Sequence, residues 1–320
     1  MSSPNLMVKI CKLFYKEGLS KTEIEKRLHI SRFKVASLLK EAQKIGMVRI
    51  EIDEPKSDLS HLEKRLEQAT GLMNVILVWN NSDSTKELKE KIGRAAADYL
   101  IEAIGKKDVL GIGWGTTTSE LVRALPDVIG KQVSIVQVSG GISKLESGID
   151  SQALTVRMAK KFGTEPYLLH APAILDQLET FQMLMKESSL KEVFRLYKKI
   201  KLLIAGIGAI LPNKFVGSWS NDSKEMDTLR RQGAVAELLS YCFDLEGKLC
   251  TSETFNRTIA IPPEDIKRVP CVIGLAVGSE KADAVLGVVR SGYINTLITD
   301  TTTARAILEK IGNQTKGGIA

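Results

Sequence analysis

The segment Asp108–Thr118, DVLGIGWGTTT, decides the fold class of this chain of 320 residues. A short apolar run, three glycines at alternate positions and three threonines follow one another in it. That order is typical of a buried strand, a glycine-rich turn and the start of a helix in an α/β domain. Free amides at a helix N-terminus, joined by threonine hydroxyls, can hold a phosphate group. The segment is neither a P-loop nor a GxGxxG motif, so a phosphate site and a purely structural turn both stay open.

Apolar runs of strand length recur beyond this segment, with amphipathic helices such as Leu88–Ile104 and Ala282–Val289 between most of them. Fully apolar strands that alternate with helices predict an α/β domain with a mostly parallel sheet covered on both faces. Tyr241–Thr251, with Glu246-Gly247 at its centre, breaks this alternation and predicts a hairpin. The predicted strands are Val75–Trp79, Val109–Gly113, Val133–Val138, Tyr167–Leu169, Leu202–Ile207, Cys271–Val277 and Ile294–Ile298.

Three more of these strands are predicted to end in glycine-containing turns, at Ser139–Gly141, Gly206–Gly208 and Gly278–Lys281. In an open parallel sheet the carboxyl ends of the strands meet at one edge, where ligands bind. We therefore expect a ligand site at this edge. Lys281 falls in the first turn of its helix, where the helix dipole disfavours a cation, and a bound anion would offset that cost. The alternative is a solvated lysine beside Glu280.

The N-terminal part of the chain is basic. Residues 1–56 carry 12 Lys and Arg residues against 7 Asp and Glu residues, which is +5 of the net charge of +7. A small basic module indicates a polyanionic partner, although a merely solubilising surface would have the same charge.

Two short helices separated by a tight turn are predicted inside this basic module. Ser20–Glu23 reads as a capping box at the start of the first helix, and His29-Ile30 forms the turn. Ser31 can cap the second helix, which ends at Gly46. The segment Met47–Ile52 alternates like a strand, so the module predicts a winged helix-turn-helix.

The second helix has one apolar and one polar face on a helical wheel. Its apolar face, which packs on the preceding helices, holds Val35, Leu38, Leu39 and Ala42. A recognition helix in the major groove of DNA reads bases with its N-terminal residues and contacts phosphates with its lysines. The alternative is a structural three-helix bundle that binds no nucleic acid. The predicted DNA-binding residues are Ser31, Arg32, Phe33, Lys34, Ser37, Lys40 and Lys44.

Three regions follow from these patterns: a helix-turn-helix domain at 1–54, a linker and connecting helix at 55–71, and an effector-binding and oligomerisation domain at 72–320. The connecting helix is Leu59–Thr70, which has one narrow apolar stripe. Such a stripe suits either pairing with another helix or docking on its own domain. The stripe consists of Leu59, Leu62, Leu66 and Ala69.

Several classes of protein are disfavoured by composition. The four cysteines lie apart without a CxxC pair and the three histidines are scattered, so neither a zinc site nor a disulfide framework is expected. The N-terminus lacks a long apolar run, and no stretch approaches the roughly 20 apolar residues of a membrane span. We expect a cytoplasmic protein with no metal, no cofactor and no membrane contact.

Taken together, these motifs resemble the SorC type of bacterial sugar-responsive regulators, and the resemblance covers nearly the whole chain. It implies an N-terminal operator-binding domain and a C-terminal domain with the fold of phosphosugar isomerases and CoA transferases. It also implies a homo-oligomer, usually a tetramer, whose binding to double-stranded DNA responds to a phosphorylated sugar. The segments that carry it are Gly18–Arg32, Gly111–Gly115, Val136–Gly141, Ala171–Ala173, Gly206–Gly208, Gly233–Val235 and Asn295–Asp300.

The resemblance also assigns roles to individual residues. Gly115, Thr116 and Thr117 would hold the phosphate, and Gln152, Glu237 and Lys281 would face the sugar. Glu237 could instead be an exposed carboxylate on a helix. The other effector-binding residues that we predict are Gly113, Ser139, Gly140, Gly141, Gly206 and Gly208.

Two residues depart from the family pattern. The recognition helix of the family often carries arginine at the position of Ser37. The resemblance therefore does not assign the residue that reads bases at this position. Some members carry lysine at the position of Ser139 and form a Schiff base with their effector. A serine cannot form a Schiff base, which disfavours a covalent deoxyribose-phosphate effector.

We therefore predict a DNA-binding transcription regulator, a repressor of a carbohydrate or polyol operon, controlled by a phosphorylated sugar. The alternative is a sugar-phosphate isomerase with an appended DNA-binding domain, which would need a general base and an acid partner. A pure assembly protein is the third interpretation.

Overall fold

The computed structural model describes residues 4–48, 59–81, 84–127, 129–142, 149–211, 214–215 and 223–317. Its internal contacts divide the chain into two compact units, Met1–Asp58 and Leu59–Ala320. We describe each unit by itself.

The first unit contains three α-helices, α1 (Pro4–Cys11), α2 (Lys21–Leu28) and α3 (Arg32–Lys44), with a π-helical turn after α1. The predicted capping box at the start of α2 is present. Ser20 Oγ accepts the amide of Glu23, and Glu23 Oε2 accepts the amide of Ser20 at 2.8 Å. These bonds satisfy two of the amides that the first turn of a helix leaves free, so they fix where α2 begins.

The turn between α2 and α3 also matches its prediction. His29 ends α2 in the left-handed conformation (φ 56°), and Ser31 Oγ accepts the amide of Lys34 at the start of α3. The four residues of the predicted apolar face of α3 are buried together with Ile10 and Ile24, so the helices close around one small core.

The predicted wing is not established by this structure. Residues 49–52 of Met47–Ile52 lie outside the described residues, and Met47 and Val48 form a bend after α3.

The second unit is an α/β domain. Its α-helices are α4 (Ser60–Thr70), α5 (Thr85–Ala103), α6 (Thr116–Ala124), α7 (Ser151–Phe162), α8 (Leu178–Leu184), α9 (Ser188–Tyr197), α10 (Ser223–Arg231), α11 (Pro263–Ile266), α12 (Ala282–Arg290) and α13 (Thr301–Gly317). Its strands are β1 (Asn74–Val78), β2 (Val109–Ile112), β3 (Ser134–Gln137), β4 (Pro166–Tyr167), β5 (Ile200–Leu211), β6 (Lys214–Phe215), β7 (Ala234–Leu238), β8 (Tyr241–Asp244), β9 (Leu249–Cys250), β10 (Cys271–Leu275) and β11 (Thr296–Asp300).

Parallel pairing dominates the sheet, in the order β1-β11-β10-β5-β2-β3-β4. Two apolar cores lie on its two faces. One includes side chains of α5, α6 and α7, and the other includes side chains of α4, α9, α12 and α13. This confirms the predicted α/β domain with a mostly parallel sheet covered on both faces.

Strand β5 differs from its prediction. The sequence placed its end near Ile207, but β5 continues to Leu211 and pairs antiparallel with β7 over Ile207–Ala209. The glycines at 206 and 208 do not end the strand because a partner strand satisfies the backbone there, which a turn signal in the sequence cannot reveal. The predicted hairpin is present as β8 and β9, with Gly247 in a left-handed turn (φ 81°).

Helix α4 belongs to the second unit. Leu66 is fully buried in the core of that unit, and Leu59 and Leu62 pack against the same core. Two carboxylates of α4 also bond to β1, which is at the edge of the sheet. Glu63 Oε1 accepts the amide of Leu77 at 2.8 Å, and Glu67 Oε1 accepts the amide of Val75 at 2.9 Å. Three residues of the predicted apolar stripe therefore dock on its own domain, whereas the fourth, Ala69, is exposed. Helix α4 covers an otherwise unpaired sheet edge.

Candidate functional site

The glycine-rich turn after β2 positions the start of α6. Gly115 adopts φ 137°, a backbone conformation that favours glycine, and no side chain caps the helix after it. The amides of Gly113 and Gly115 already donate to Ile204 O (2.8 Å) and Ile149 O (3.1 Å). The donors left for an anion are therefore the first-turn amides of α6 and the threonine hydroxyls, not the glycine amides.

Thr116 and Thr117 differ in exposure. Thr116 is exposed to solvent, whereas Thr117 is only 5% exposed and faces the interior. Thr118, which follows them, is fully buried, and its hydroxyl has no hydrogen-bond partner among the described residues. The sequence analysis did not select Thr118.

Gly206 and Gly208 lie in the middle of β5, yet both are partly exposed. The backbone of a central strand is therefore partly open to solvent at these two positions. Gly208 lies opposite Glu237 in the register of β5 and β7, and a Cβ atom at 208 would lie 2.8 Å from Glu237 Oε2. Glycine at 208 therefore leaves the room that this carboxylate occupies.

Glu237 is a buried residue of strand β7, with 3% of its surface exposed. The alternative of an exposed carboxylate on a helix is therefore wrong. Its Oε1 atom accepts the amide of Ser240 at 2.6 Å. Burial raises the pKa of Glu237 to about 7, although the Ser240 amide and the nearby Lys281 act in the opposite direction.

Lys281 reaches the same region from the turn after β10. It ends a short 3-10 turn, Ser279–Lys281, immediately before α12, and its Nζ donates to Ile207 O at 2.9 Å. Burial lowers the pKa of Lys281, and Lys89 lowers it further, while Glu280 and Glu237 oppose the shift. A half-buried cation whose charged form is disfavoured can gain from a bound anion.

The turn that carries Lys281 is fixed by Asp300 at the end of β11. Asp300 Oδ2 accepts the amide of Gly278 at 3.0 Å, and its carboxylate also accepts bonds from Thr302 and Thr303. Burial would raise the pKa of Asp300, but these hydrogen bonds outweigh it and lower the pKa. Asp300 is therefore a charged anchor between the ends of β10 and β11.

A cavity of about 520 Å³ lies at this same edge of the sheet, beside the turn after β10. Asn80, Thr302 and Glu280 contribute to its wall, so it borders the turn of Lys281 on the side of β1 and β11.

The turn after β3 is closed against its neighbours. The amides of Gly140 and Gly141 donate to Ile259 O (2.9 Å) and Ala171 O (2.8 Å). A Cβ atom at Gly140 would lie 2.5 Å from the carbonyl of Pro172, so glycine is needed there for close backbone packing. Ser139 is fully buried, and its hydroxyl has no partner in the part of the chain that the structure describes.

Gln152 lies in the first turn of α7 and is exposed. The start of α7 is tied to the glycine-rich turn by the bond from Gly115 N to Ile149 O, so the N-termini of α6 and α7 are neighbours. Among the described residues, no hydrogen bond or ion pair joins Gln152 to Glu237 or Lys281.

The turn between β7 and β8 was not among the features predicted from the sequence. Leu239 (φ 53°) and Ser240 (φ 70°) are both left-handed, a conformation that non-glycine residues adopt at a cost of about 1 kcal/mol or more each. Two-residue hairpins usually signal themselves by Asn-Gly, and the Leu-Ser pair here has no such signal.

All seven predicted DNA-binding residues are exposed on the first unit. Phe33 is 80% exposed, and the guanidinium of Arg32 lies 5.7 Å from its ring centroid. An exposed aromatic ring beside an arginine, with Lys40 and Lys44 farther along the same helix, gives α3 a basic outer face.

Comparison with known proteins shows the family to which this chain belongs. Residues 54–309 match the Sugar-bind family of sugar-binding domains. The chain belongs to the SorC/DeoR-type family of sugar-binding transcriptional regulators. Regulators of this type are therefore its relatives, and the predicted class of function, transcription regulation, is confirmed.

Two curated relatives match nearly their whole length. The Bacillus subtilis deoxyribonucleoside regulator is 28% identical over 306 residues, which cover 96% of this chain and 98% of the relative. The Escherichia coli K12 transcriptional regulator LsrR is 28% identical over 315 residues, which cover 96% of each protein. Among solved structures, the full-length sorbitol operon regulator SorC from Klebsiella pneumoniae has a TM-score of 0.73 at 27% identity, covering 95% of this chain and 98% of that one.

Within the described ranges, no group of His, Cys, Asp and Glu residues has the arrangement of a metal site. No described helix is long and apolar enough to cross a membrane.

Proposed function

We propose that this SorC/DeoR-type regulator binds double-stranded operator DNA through α3 and changes its DNA affinity when a phosphorylated sugar or polyol binds in the second unit. One observation carries the proposal: several polar groups meet at one edge of the sheet. There the uncapped start of α6 lies beside β5, and Glu237 of β7 and Lys281 contact the same strand. An uncapped helix N-terminus attracts a phosphate group. A bound anion also stabilises the charged form of Lys281, which burial disfavours in the absence of that anion.

The remaining groups at this edge suit a polyhydroxylated molecule. Glu237 can accept hydroxyl hydrogens, and the buried hydroxyls of Thr118 and Ser139 have no partner among the described residues. Buried polar groups are nearly always hydrogen-bonded, so unpaired hydroxyls beside a candidate site favour a ligand with several hydroxyl groups. The effector residues that we propose are the twelve predicted from the sequence. Thr116 and Thr117 would face the phosphate, and Gln152, Glu237 and Lys281 would face the sugar. The glycines at 113, 115, 140 and 141 would shape the site and not donate to the ligand, because their amides bond within the protein.

The regulated genes are proposed to serve carbohydrate or polyol breakdown, with the protein as their repressor. One relative is named for a sorbitol operon and another for deoxyribonucleosides, which supports a carbohydrate-derived effector. A homotetramer in the cytoplasm is the proposed working form. Within it, recognition helices would act in pairs that read two operator half-sites, and this pairing would give the helix-turn-helix its specificity.

A thermal-shift experiment on the full chain tests this proposal. Sorbitol-6-phosphate, fructose-6-phosphate and deoxyribose-5-phosphate are compared with the unphosphorylated sugars and with inorganic phosphate. At least one phosphorylated compound is expected to raise the midpoint, because a ligand that binds only the folded state stabilises it. Replacing Lys281 by Met should remove that shift, and no shift with any phosphorylated sugar would contradict the proposal.

The alternative of a sugar-phosphate isomerase rests on one observation. A buried carboxyl group with a pKa of about 7, such as Glu237, is what a general base requires. The relatives are named as regulators, so regulation is the function proposed, and turnover of a bound sugar phosphate would favour the enzyme instead.

A further inference from the structure

The hairpin turn between β7 and β8 combines strain with a buried polar group. Both of its central residues, Leu239 and Ser240, have positive φ angles although neither is glycine. Strained backbone persists where the surrounding structure holds it, and it concentrates at binding sites. The turn follows Glu237 by two residues, which places it beside the proposed effector site.

Two contacts hold the turn in this conformation. Leu239 is 2% exposed and packs over Gly113 of the glycine-rich turn, where an added Cβ atom would lie 2.5 Å from Leu239 Cδ2. The hydroxyl of Tyr241 donates to Ile261 O at 3.1 Å. The turn is therefore fixed between the glycine-rich turn after β2 and the segment 258–261, which pairs with Ser139 and Ala173.

Ser240 is the unexplained residue of this turn. It is 4% exposed, its amide donates to Glu237 Oε1, and its hydroxyl has no partner among the described residues. Glycine would adopt φ 70° with less strain, and alanine would fill the space without an unpaired polar atom. Neither backbone conformation nor packing therefore requires a serine at 240, and the part of the chain that the structure describes offers its hydroxyl no partner.

We propose that the Ser240 hydroxyl is a specificity-determining contact that bonds a hydroxyl group of the effector next to the Glu237 carboxylate. The inference rests on the proposed function and extends it to one atom. Because the Ser240 amide bonds the Glu237 carboxylate, which suits a hydroxyl donor and not a phosphate group, Ser240 reads the carbon chain of the sugar phosphate. The ligand class is a phosphate ester that carries free hydroxyls beyond the ester oxygen.

The experiment compares Ser240→Ala and Ser240→Gly with the unchanged full chain by isothermal titration. The probes are sorbitol-6-phosphate, fructose-6-phosphate and inorganic phosphate. Both variants lack the hydroxyl but differ in backbone strain, so both should weaken sugar-phosphate binding by about tenfold, the cost of one lost hydrogen bond. Inorganic phosphate should bind as it does to the unchanged chain.

A matched control is Thr164→Val, which removes another buried hydroxyl without a partner. Thr164 precedes β4, at the amino ends of the strands, whereas the proposed site lies at their carboxyl ends. This variant should bind every probe normally. Unchanged sugar-phosphate affinity in both Ser240 variants, with binding still lost in Lys281→Met, would overturn the Ser240 inference alone. Absence of sugar-phosphate binding in the unchanged chain would overturn the proposed function and this inference together.

Discussion

At the scale of single residues, Glu237 shows how burial changes the protonation of a carboxyl group. Its carboxylate lies between Gly208 and the Ser240 amide and has almost no contact with water. Taking a carboxylate out of water favours its neutral form, and one amide bond does not offset that cost. The free protein therefore holds this carboxyl group partly protonated near neutral pH.

The raised pKa predicts how stability depends on pH. Between the usual value of 4.5 and the folded value of about 7, the native protein holds a proton at Glu237 that the unfolded chain has released. The contribution of this residue to stability is therefore fully present below 4.5 and is lost as the pH rises through about 7. The loss is on the order of 3 kcal/mol.

Urea unfolding of the full chain and of Glu237→Gln at about pH 5 and about pH 8 measures this effect. The neutral glutamine cannot titrate, so the variant should gain stability relative to the unchanged chain as the pH rises. If the difference in unfolding free energy between the two proteins is the same at both pH values, Glu237 does not have a raised pKa.

Residues of the first unit were predictable from sequence, whereas Glu237 and Ser240 were predictable only in part. The outward position of Phe33 follows from the spacing of apolar residues along α3, which is a local property. The burial of Glu237 depends on the pairing of β7 with β5, which joins residues far apart in sequence. Ser240 lacks the usual turn signal because it departs from the residues that such a turn prefers.

At the scale of secondary structure, α4 protects the edge of the sheet with its carboxylates. Glu63 and Glu67 accept two amides of β1 that would otherwise face an unpaired edge. Hydrogen bonds to a charged acceptor each contribute about 1.5 to 3 kcal/mol. Glu63→Ala and Glu67→Ala should therefore each lower the unfolding free energy of the second unit by this amount.

The control for these variants is Gln68→Ala, an exposed position on the same helix. It should change the unfolding free energy by less than about 0.5 kcal/mol. Hydrogen exchange at the amides of Val75 and Leu77 provides a second readout, since both should exchange faster only in the glutamate variants. Exchange rates equal to those of the unchanged chain would show that α4 does not pair with this edge.

A second prediction at this scale concerns the basic face of α3. Lys40→Ala and Lys44→Ala should each weaken DNA binding for all sequences alike and reduce the slope of log affinity against log salt by about 1. The control is Lys86→Ala, which removes the same charge from an exposed position of the second unit. If the slope of log affinity against log salt is the same in the Lys40 and Lys44 variants as in the control, the phosphate contacts lie elsewhere.

Most of the parallel strands could be predicted because each is a short apolar run between polar helices. The strand predicted at Tyr167–Leu169 instead lies at Pro166–Tyr167, as β4. The extension of β5 past Gly208 could not be predicted, because glycine-rich segments usually end strands and only the tertiary partner β7 keeps this one extended. The same limit applies to the stripe of α4, whose pattern suits a helix partner and a sheet edge equally well.

At the scale of the whole molecule, regulation requires that the effector bind one arrangement of the protein more tightly than another. A ligand can shift such an equilibrium only by its difference in affinity for the two states, typically about 1 to 3 kcal/mol. In the proposed function, the sugar-binding unit would supply the affinity for the effector, and α3 in the other unit would supply the contact with DNA. Reciprocity then requires that operator DNA change effector affinity by the same factor.

The most direct test is fluorescence anisotropy of a labelled palindromic operator from the protein's own promoter region, titrated with the full chain with and without the effector found by thermal shift. The account predicts a change in DNA affinity of at least about fivefold in the unchanged chain. In Lys281→Met it predicts no change on adding effector, with DNA affinity in its absence intact. The same DNA affinity with and without a bound sugar phosphate in the unchanged chain would contradict it.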